Sequence, residues 1–246
     1  RKGRGAVLSP DGRFDAWQRD AADDGWWQDD AAAPATELIA DTAKTVITYN
    51  TSPDIPYDRS INPYRGCEHG CAYCFARPSH AYLGLSPGLD FETRLAYKAD
   101  AVDCLRAELA KPGYVCRAVA LGINTDAWQP VERRFRITRG ILEVMAETRH
   151  PVTIVTKSAL ILRDLDLLAG MARDGLAHVA VSITTLDADL ARRMEPRAPS
   201  PQRRLSVIRE LAAAGIPTAV MVAPLIPALT DHEIESILGA ASDAGA

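Results

Sequence analysis

Cys67, Cys71 and Cys74 stand within one short stretch, RGCEHGCAYCFAR, of a 246-residue chain that has only two other cysteines, Cys104 and Cys116. Three thiols so close in sequence can pack as small apolar groups, hold a zinc ion, or ligate an iron–sulfur cluster with one iron left to another ligand. On a helix the spacing i, i+4, i+7 would gather them on one face. Gly66 and Gly70 lie among them and Pro63 just before, at a cost to a helix of about 1 kcal/mol per glycine and about 3 kcal/mol for proline. A loop is therefore predicted, and loops that gather thiols do so for metals that select soft ligands. Structural zinc sites are closed by four ligands, often as recurring CxxC pairs, and this chain has no second pair. His69 or His80 would have to complete the set, and His69 sits between two of the cysteines, where a short loop can hardly aim four groups at one ion. Three cysteines suit a cluster whose fourth iron takes something else.

The elements that position such a loop are legible downstream. From residue 117 the runs RAVALGI, VTIVTKS, HVAVSITT and PTAVMVA are short, apolar and rich in β-branched residues, and each is followed by a helical pattern. Ile137, Ile141 and Met145 mark one helix face; Leu162, Leu165 and Leu168, then Leu205, Ile208 and Leu211, then Ile234, Ile237 and Leu238 mark three more. Strands with continuous apolar runs are buried on both faces, as in parallel sheets. Repeated βα units with right-handed crossovers give a doubly wound sheet or a barrel, with the active site at the carboxyl ends of the strands. Those ends read GINTDAWQPVE, TKS, SITTLD followed by MEPRAPSPQRR, and APLIPALTDHE. Alternation in VAVSITT sends Val179, Val181 and Ile183 to one side and the hydroxyls of Ser182 and Thr184 to the other.

Composition bounds the rest. The chain is 47% hydrophobic and 24% charged with a formal net charge of -4, so no global basic field advertises nucleic acid, although a local basic groove stays open. There is no apolar run long enough to span a membrane, and five cysteines without a signal-peptide core point to a reducing, cytoplasmic setting rather than a disulfide framework. Residues 1–43 mix charge, alanine and proline with little periodicity and are expected to form an extended arm, with 44–246 as the core. Within the arm, Trp26 and Trp27 after Asp23 and Asp24 either pin it to the core or stack on a ring. The chain is expected to be cut short at its carboxyl end, where a helical pattern stops at ASDAGA.

GCEHGCAYCFA, a CxxxCxxC motif with an aromatic residue before the third cysteine, resembles the cluster motif of the radical S-adenosylmethionine (radical SAM) superfamily. The resemblance runs from about Lys44 to the end. NTD, VTKS, VSITTLD, EPRAPSPQRR and VAPLIPALTD are similar to the branch that contains spore photoproduct lyase, and SINPYRGCEHGCAYC is most similar to uncharacterised relatives in it. The resemblance implies an α/β fold, a partial (βα) barrel of parallel strands, and a radical SAM enzyme. In that family three cysteines bind a [4Fe-4S] cluster and SAM chelates the fourth iron; one electron splits SAM to a 5′-deoxyadenosyl radical that abstracts a hydrogen atom from substrate. An external electron donor, flavodoxin- or ferredoxin-like, is implied, with the substrate unassigned and nucleic acid open.

Carried over residue by residue, the resemblance makes Cys67, Cys71 and Cys74 the iron ligands. Tyr73 falls at the aromatic position near the SAM adenine, with packing under the loop as its other reading. Asn124, Thr125 and Asp126 fall where the methionyl ammonium is recognised, and a carboxylate suits that cation; a turn-forming role is the other reading of Asp126. Lys157 is expected to meet the SAM carboxylate, Ser182 and Thr184 the ribose or carboxylate, with ordinary barrel-interior hydrogen bonding as their other reading, and Arg197 to contact SAM. Ser158 reads as a helix N-cap, and Arg203 and Arg204 as surface charges on the following helix. Where spore photoproduct lyase carries a hydrogen-donating cysteine, this chain has Ile123, and Cys104 and Cys116 are expected to be buried thiols. Two other readings remain: a zinc-stabilised nucleic-acid-binding module, and an iron–sulfur electron carrier that never cleaves SAM.

Overall fold

The computed structural model describes residues 3–14 and 35–246, so Trp26 and Trp27 lie outside the described residues. The strands are β1 (Glu37–Asp41), β2 (Ile47–Tyr49), β3 (Arg59–Ile61), β4 (Tyr64–Arg65), β5 (Arg94–Lys98), β6 (Val119–Leu121), β7 (Val152–Thr156), β8 (Ala177–Ser182) and β9 (Thr218–Met221). Helices α1 (Asp90–Thr93), α2 (Ala101–Leu109), α3 (Glu132–Phe135) and α4 (Ile137–Glu147) come before β7. Helices α5 (Leu165–Arg173), α6 (Ala188–Met194), α7 (Pro201–Ala213) and α8 (Ile234–Asp243) follow.

The strands form a mixed six-stranded sheet, ordered β2-β3-β6-β7-β8-β9, in which only the β2–β3 pair is antiparallel. Its strands β6 to β9 are the four apolar runs expected from the sequence. The reason is burial from both sides: Leu121, Ile154, Val179, Val181 and Ile183 are inaccessible and pack with Ile141, Leu142, Met145, Leu168, Ile208 and Leu211 from the helices. Helix starts are set by side-chain caps. Ser158 Oγ accepts from Leu160 N, as expected; Asp187 accepts from Asp189 N and Leu190 N; Ser200 accepts from Arg203 N with Pro201 opening α7.

A second, three-stranded sheet, β1-β5-β4, stands beside the first. β1 lies within the stretch expected as an extended arm; it pairs in parallel with β5, Glu37 opposite Arg94. A strand formed by so distant a partner leaves little local periodicity to read. The segment 3–14 is also tied down: Gly5 N and Ala6 N donate to the Glu92 carboxylate at 3.0 and 2.8 Å, and Leu89 N donates to Leu8 O.

Two expectations on individual residues are corrected here. Cys116 is exposed rather than buried, because it precedes β6 on a loop of open backbone, while Cys104 is half-buried with its thiol donating to Ala43 O. Arg204 is not a surface charge: it is 1% exposed and lies inside α7's packed face, whereas Arg203 is exposed as expected. Among the described residues no helix is long and apolar enough to cross a membrane.

Candidate functional site

The three cysteines lie on the predicted loop between β4 and the 3-10 turn at Arg77–Leu83. Gly66 and Gly70 make the loop possible, with φ of +80° and +67°. A Cβ on Gly66 would stand 2.8 Å from Phe91 O, and one on Gly70 would stand 2.7 Å from Glu92 Oε2, so the loop is pressed against α1 where only glycine fits. On the other side it is laid along Met194–Arg197, with Ala72 N donating to Met194 O at 2.9 Å and Arg197 N to His69 O at 3.2 Å.

This places all three thiols on one cavity of about 450 Å³ at the carboxyl ends of β6, β7 and β8. Tyr73, Asn124, Thr125, Asp126, Lys157 and Ser182 line the same cavity, together with Ile123, His69, Phe75 and Met221. Thr184 and Arg197 do not line it. Thr184 sits behind Tyr73, its hydroxyl 3.1 Å from the Tyr73 hydroxyl; Arg197 lines a second cavity of about 210 Å³ with His69, Trp128 and Arg133, its guanidinium 3.4 Å from Glu68.

Each lining side chain has a definable state. Lys157 Nζ donates to Ser182 Oγ at 3.0 Å and lies 5.8 Å from the Tyr73 ring centroid. An ammonium has three donors, and that one bond is the only hydrogen bond Lys157 Nζ makes among the described residues, so it keeps donors for a ligand. The Asn124 amide likewise has no side-chain partner among the described residues, although its backbone N–H is held by Asn62 Oδ1 at 2.9 Å. Asp126 is busier: its carboxylate accepts from Trp128 N, Thr156 Oγ1 and Lys157 N at 2.8–3.0 Å, and faces His69 Nδ1 at 3.4 Å. The bond to Trp128 N is the Asx turn that was the other reading of this residue. Thr125 spends its hydroxyl on Tyr64 O at 2.7 Å.

Burial pushes the Cys67 thiol well up, with Asp126 and Cys71 adding to it, and pushes Cys71 up to about 12. Without metal both are neutral thiols, and ligation has to displace their protons. Burial also holds the His69 imidazole below its usual range, against the pull of Asp126. His80, the other histidine weighed as a zinc ligand, is buried away from the cavity with Nε2 at 2.9 Å from Arg94 O. Among the described residues no three His, Cys, Asp or Glu side chains are grouped as a single metal ion would need. The three thiols line one cavity and supply the three protein ligands that an open cluster takes.

Sequence reasoning missed Glu195 and Arg204. Glu195 takes hydrogen bonds from Tyr73, Thr184 and Arg204, and Arg204 Nη1 donates to Ser182 O at 3.0 Å. The signal for Arg204 was available: at i, i+3, i+4 and i+7 it shares a helix face with the buried Val207, Ile208 and Leu211. Glu195 had none, being one acidic residue before a proline.

Comparison with known proteins places this arrangement. The Radical SAM superfamily model matches residues 61–241. An uncharacterized protein of Mycobacterium tuberculosis is 43% identical over 194 residues, covering 78% of this chain and 57% of that protein. One from Methanocaldococcus jannaschii is 30% identical over 203 residues, covering 82% of this chain and 72% of that one. The chain thus spans 57% of the length of the mycobacterial relatives it matches. A spore photoproduct lyase mutant superposes with a TM-score of 0.63 at 18% identity, over 84% of this chain and 57% of that one. Another mutant of that lyase, with bound AdoMet and dinucleoside spore photoproduct, superposes at 0.62. At these identities the likeness shows a shared fold.

Proposed function

Because the chain belongs to the radical SAM superfamily, we propose that it holds a [4Fe-4S] cluster on Cys67, Cys71 and Cys74 and reductively cleaves S-adenosylmethionine there. The observation that carries this reading is the single cavity lined by the three thiols and by the polar residues ending β6, β7 and β8. When bound, the cluster supplies one electron to the sulfonium of SAM, giving methionine and a 5′-deoxyadenosyl radical that takes a hydrogen atom from the substrate. The parallel strands are then one wall of the partial barrel of this family.

The chain's own residues bind and orient. Lys157 meets the methionyl carboxylate with the donors it has left over from Ser182. Asn124 and the carboxylate of Asp126 face the ammonium; Asp126 at the same time holds Lys157 N and Trp128 N, so the charge that recognises SAM also fixes the ends of β6 and β7 to each other. Tyr73 offers its ring to the adenine. Thr184 and Arg197 contribute indirectly, through Tyr73 and through the second cavity. The electron comes from an external flavodoxin- or ferredoxin-like donor in the cytoplasm.

Nucleic acid is the first substrate class to try, because the lyase that shares the fold binds a dinucleoside photoproduct. Ile123 stands in the cavity wall with no S–H to return a hydrogen atom, so repair of the spore thymine dimer is expected to be lacking. The decisive experiment is anaerobic reconstitution, then incubation with SAM and dithionite. Formation of 5′-deoxyadenosine by the brown protein is expected; none from protein with a full iron complement would overturn the reading, and a colourless zinc-loaded protein would replace it. The unmodified protein beside an Ile123→Cys variant on the dimer tests the substrate half, and multiple-turnover repair by the unmodified protein would refute it.

A further inference from the structure

Tyr73 and Lys157 at the cavity are aimed from behind by a pair that does not line it. Glu195 and Arg204 each have side chains 1% exposed and form an ion pair with one another. Burial raises the Glu195 carboxyl, but the charges of Arg204 and Lys157 and the hydrogen bonds from Arg204 and Tyr73 outweigh it and hold the group below the usual carboxylate range. A buried pair of this kind contributes little net stability over well-packed apolar residues of similar volume. What it does supply is direction.

That direction runs to two of the proposed SAM contacts, Tyr73 and Lys157. Glu195 Oε1 accepts from the Tyr73 hydroxyl and, at 2.8 Å, from Thr184 Oγ1, which fixes the end of the Tyr73 side chain. Arg204 donates to the Ser182 carbonyl, and Ser182 Oγ accepts from Lys157 Nζ. The Lys157 ammonium in turn stands over the Tyr73 ring. The backbone supports the same geometry: Ala72 with Met194 and His69 with Arg197 bond as an antiparallel pair, which presents Glu195 to the cluster loop.

We propose that Glu195, through its pair with Arg204, is a positioning residue for S-adenosylmethionine: it sets the Tyr73 ring and, by way of Ser182, the Lys157 ammonium in the attitude in which they receive the ligand. This rests on reading the cavity as the SAM site. The prediction differs from that of a purely structural pair. An apolar replacement repairs packing, yet it cannot restore direction.

The test measures SAM affinity of the anaerobically reconstituted protein by equilibrium titration, with iron content and unfolding midpoint taken on every variant. The Glu195→Leu/Arg204→Met double variant is expected to keep iron and its fold, with a midpoint lowered by the bonds lost to Ser182 O and Pro199 O, while binding SAM about ten- to hundred-fold more weakly, the loss that goes with misplaced charged hydrogen bonds. Adding Lys157→Met to it should cost little more, since residues acting through one another are not additive. Unmodified affinity in the double variant, or losses that multiply on adding Lys157→Met, would overturn the proposal. Should the double variant lose its fold, Glu195→Gln and Tyr73→Phe replace it: combined, they are expected to bind no more weakly than the weaker single variant, and multiplied losses overturn the proposal equally. An unmodified protein that loads iron but binds no SAM would overturn the site reading itself and the positioning role with it.

Discussion

The two ends of the six-stranded sheet carry similar residues and use them differently. At the amino ends, the buried Arg59 pairs with Asp58 at 2.8 Å and donates to the Val115 carbonyl at 2.6 Å and to the Tyr114 hydroxyl. Tyr114 in turn meets His150 Nε2 at 2.7 Å, and Arg117 shares Asp58. These partners come from the segments leading into β3, β6 and β7, so the network spends its polarity on closing the end of the sheet. At the carboxyl ends, Asp126, Ser182 and Glu195 form an equally dense network, but it stops short: Lys157 and Asn124 keep donors, and three thiols face the cavity. A charged cluster is therefore not a site by virtue of its charge. Unspent hydrogen-bonding capacity facing a cavity is what separates the two ends.

The comparison breaks most readily at the cysteines. Replacing Cys67, Cys71 or Cys74 by Ala should each bring iron content after reconstitution down to background, because a second iron loses its protein ligand. Cys104→Ala and Cys116→Ala, on α2 and before the start of β6, should retain it in full; an equal fall in either would end the assignment. Next in size are Lys157→Met and Asp126→Asn, expected to weaken SAM binding by about one to two decades while leaving the cluster in place. Here the structure sharpens the contrast. Asp126→Asn also disturbs acceptors for Thr156, Lys157 N and Trp128 N and should lower the unfolding midpoint, whereas Lys157→Met should leave the midpoint near that of the unmodified protein. The smallest effects belong to the amino end. Arg59→Ala should lower the midpoint through its lost buried bonds yet leave SAM affinity unchanged, and the exposed Arg117→Ala should alter neither in thermal melts and titrations. A loss of SAM affinity in Arg59→Ala would show that the two ends are coupled.

Legibility followed locality. The four strands β6 to β9 announce themselves because each is a continuous β-branched run, and the cysteine loop because glycine and proline rule out the helix its spacing would allow. β1 is unreadable as a strand, since its partner β5 lies more than fifty residues away and none of its residues is fully buried. Arg204 was misread through the ordinary rule that arginine faces water; the rule fails where a carboxylate such as Glu195 waits inside. Cys116 was misread by the converse rule, that a lone thiol packs inside. Of the polar strand ends, position could be read from sequence but commitment could not: Thr125 and Asp126 look as free as Asn124 until their partners are seen.

The antiparallel pairing of His69–Ala72 with Met194–Arg197 also bears on when the site can come into being. The three cysteines leave the ribosome well over a hundred residues before the backbone that shapes their loop. A nascent chain that has emerged only as far as β8 holds every thiol but lacks the surface they are laid against, and closing so long a loop is slow compared with forming local helices. On the reading proposed above, the loop is therefore shaped to take iron only after translation has passed α6.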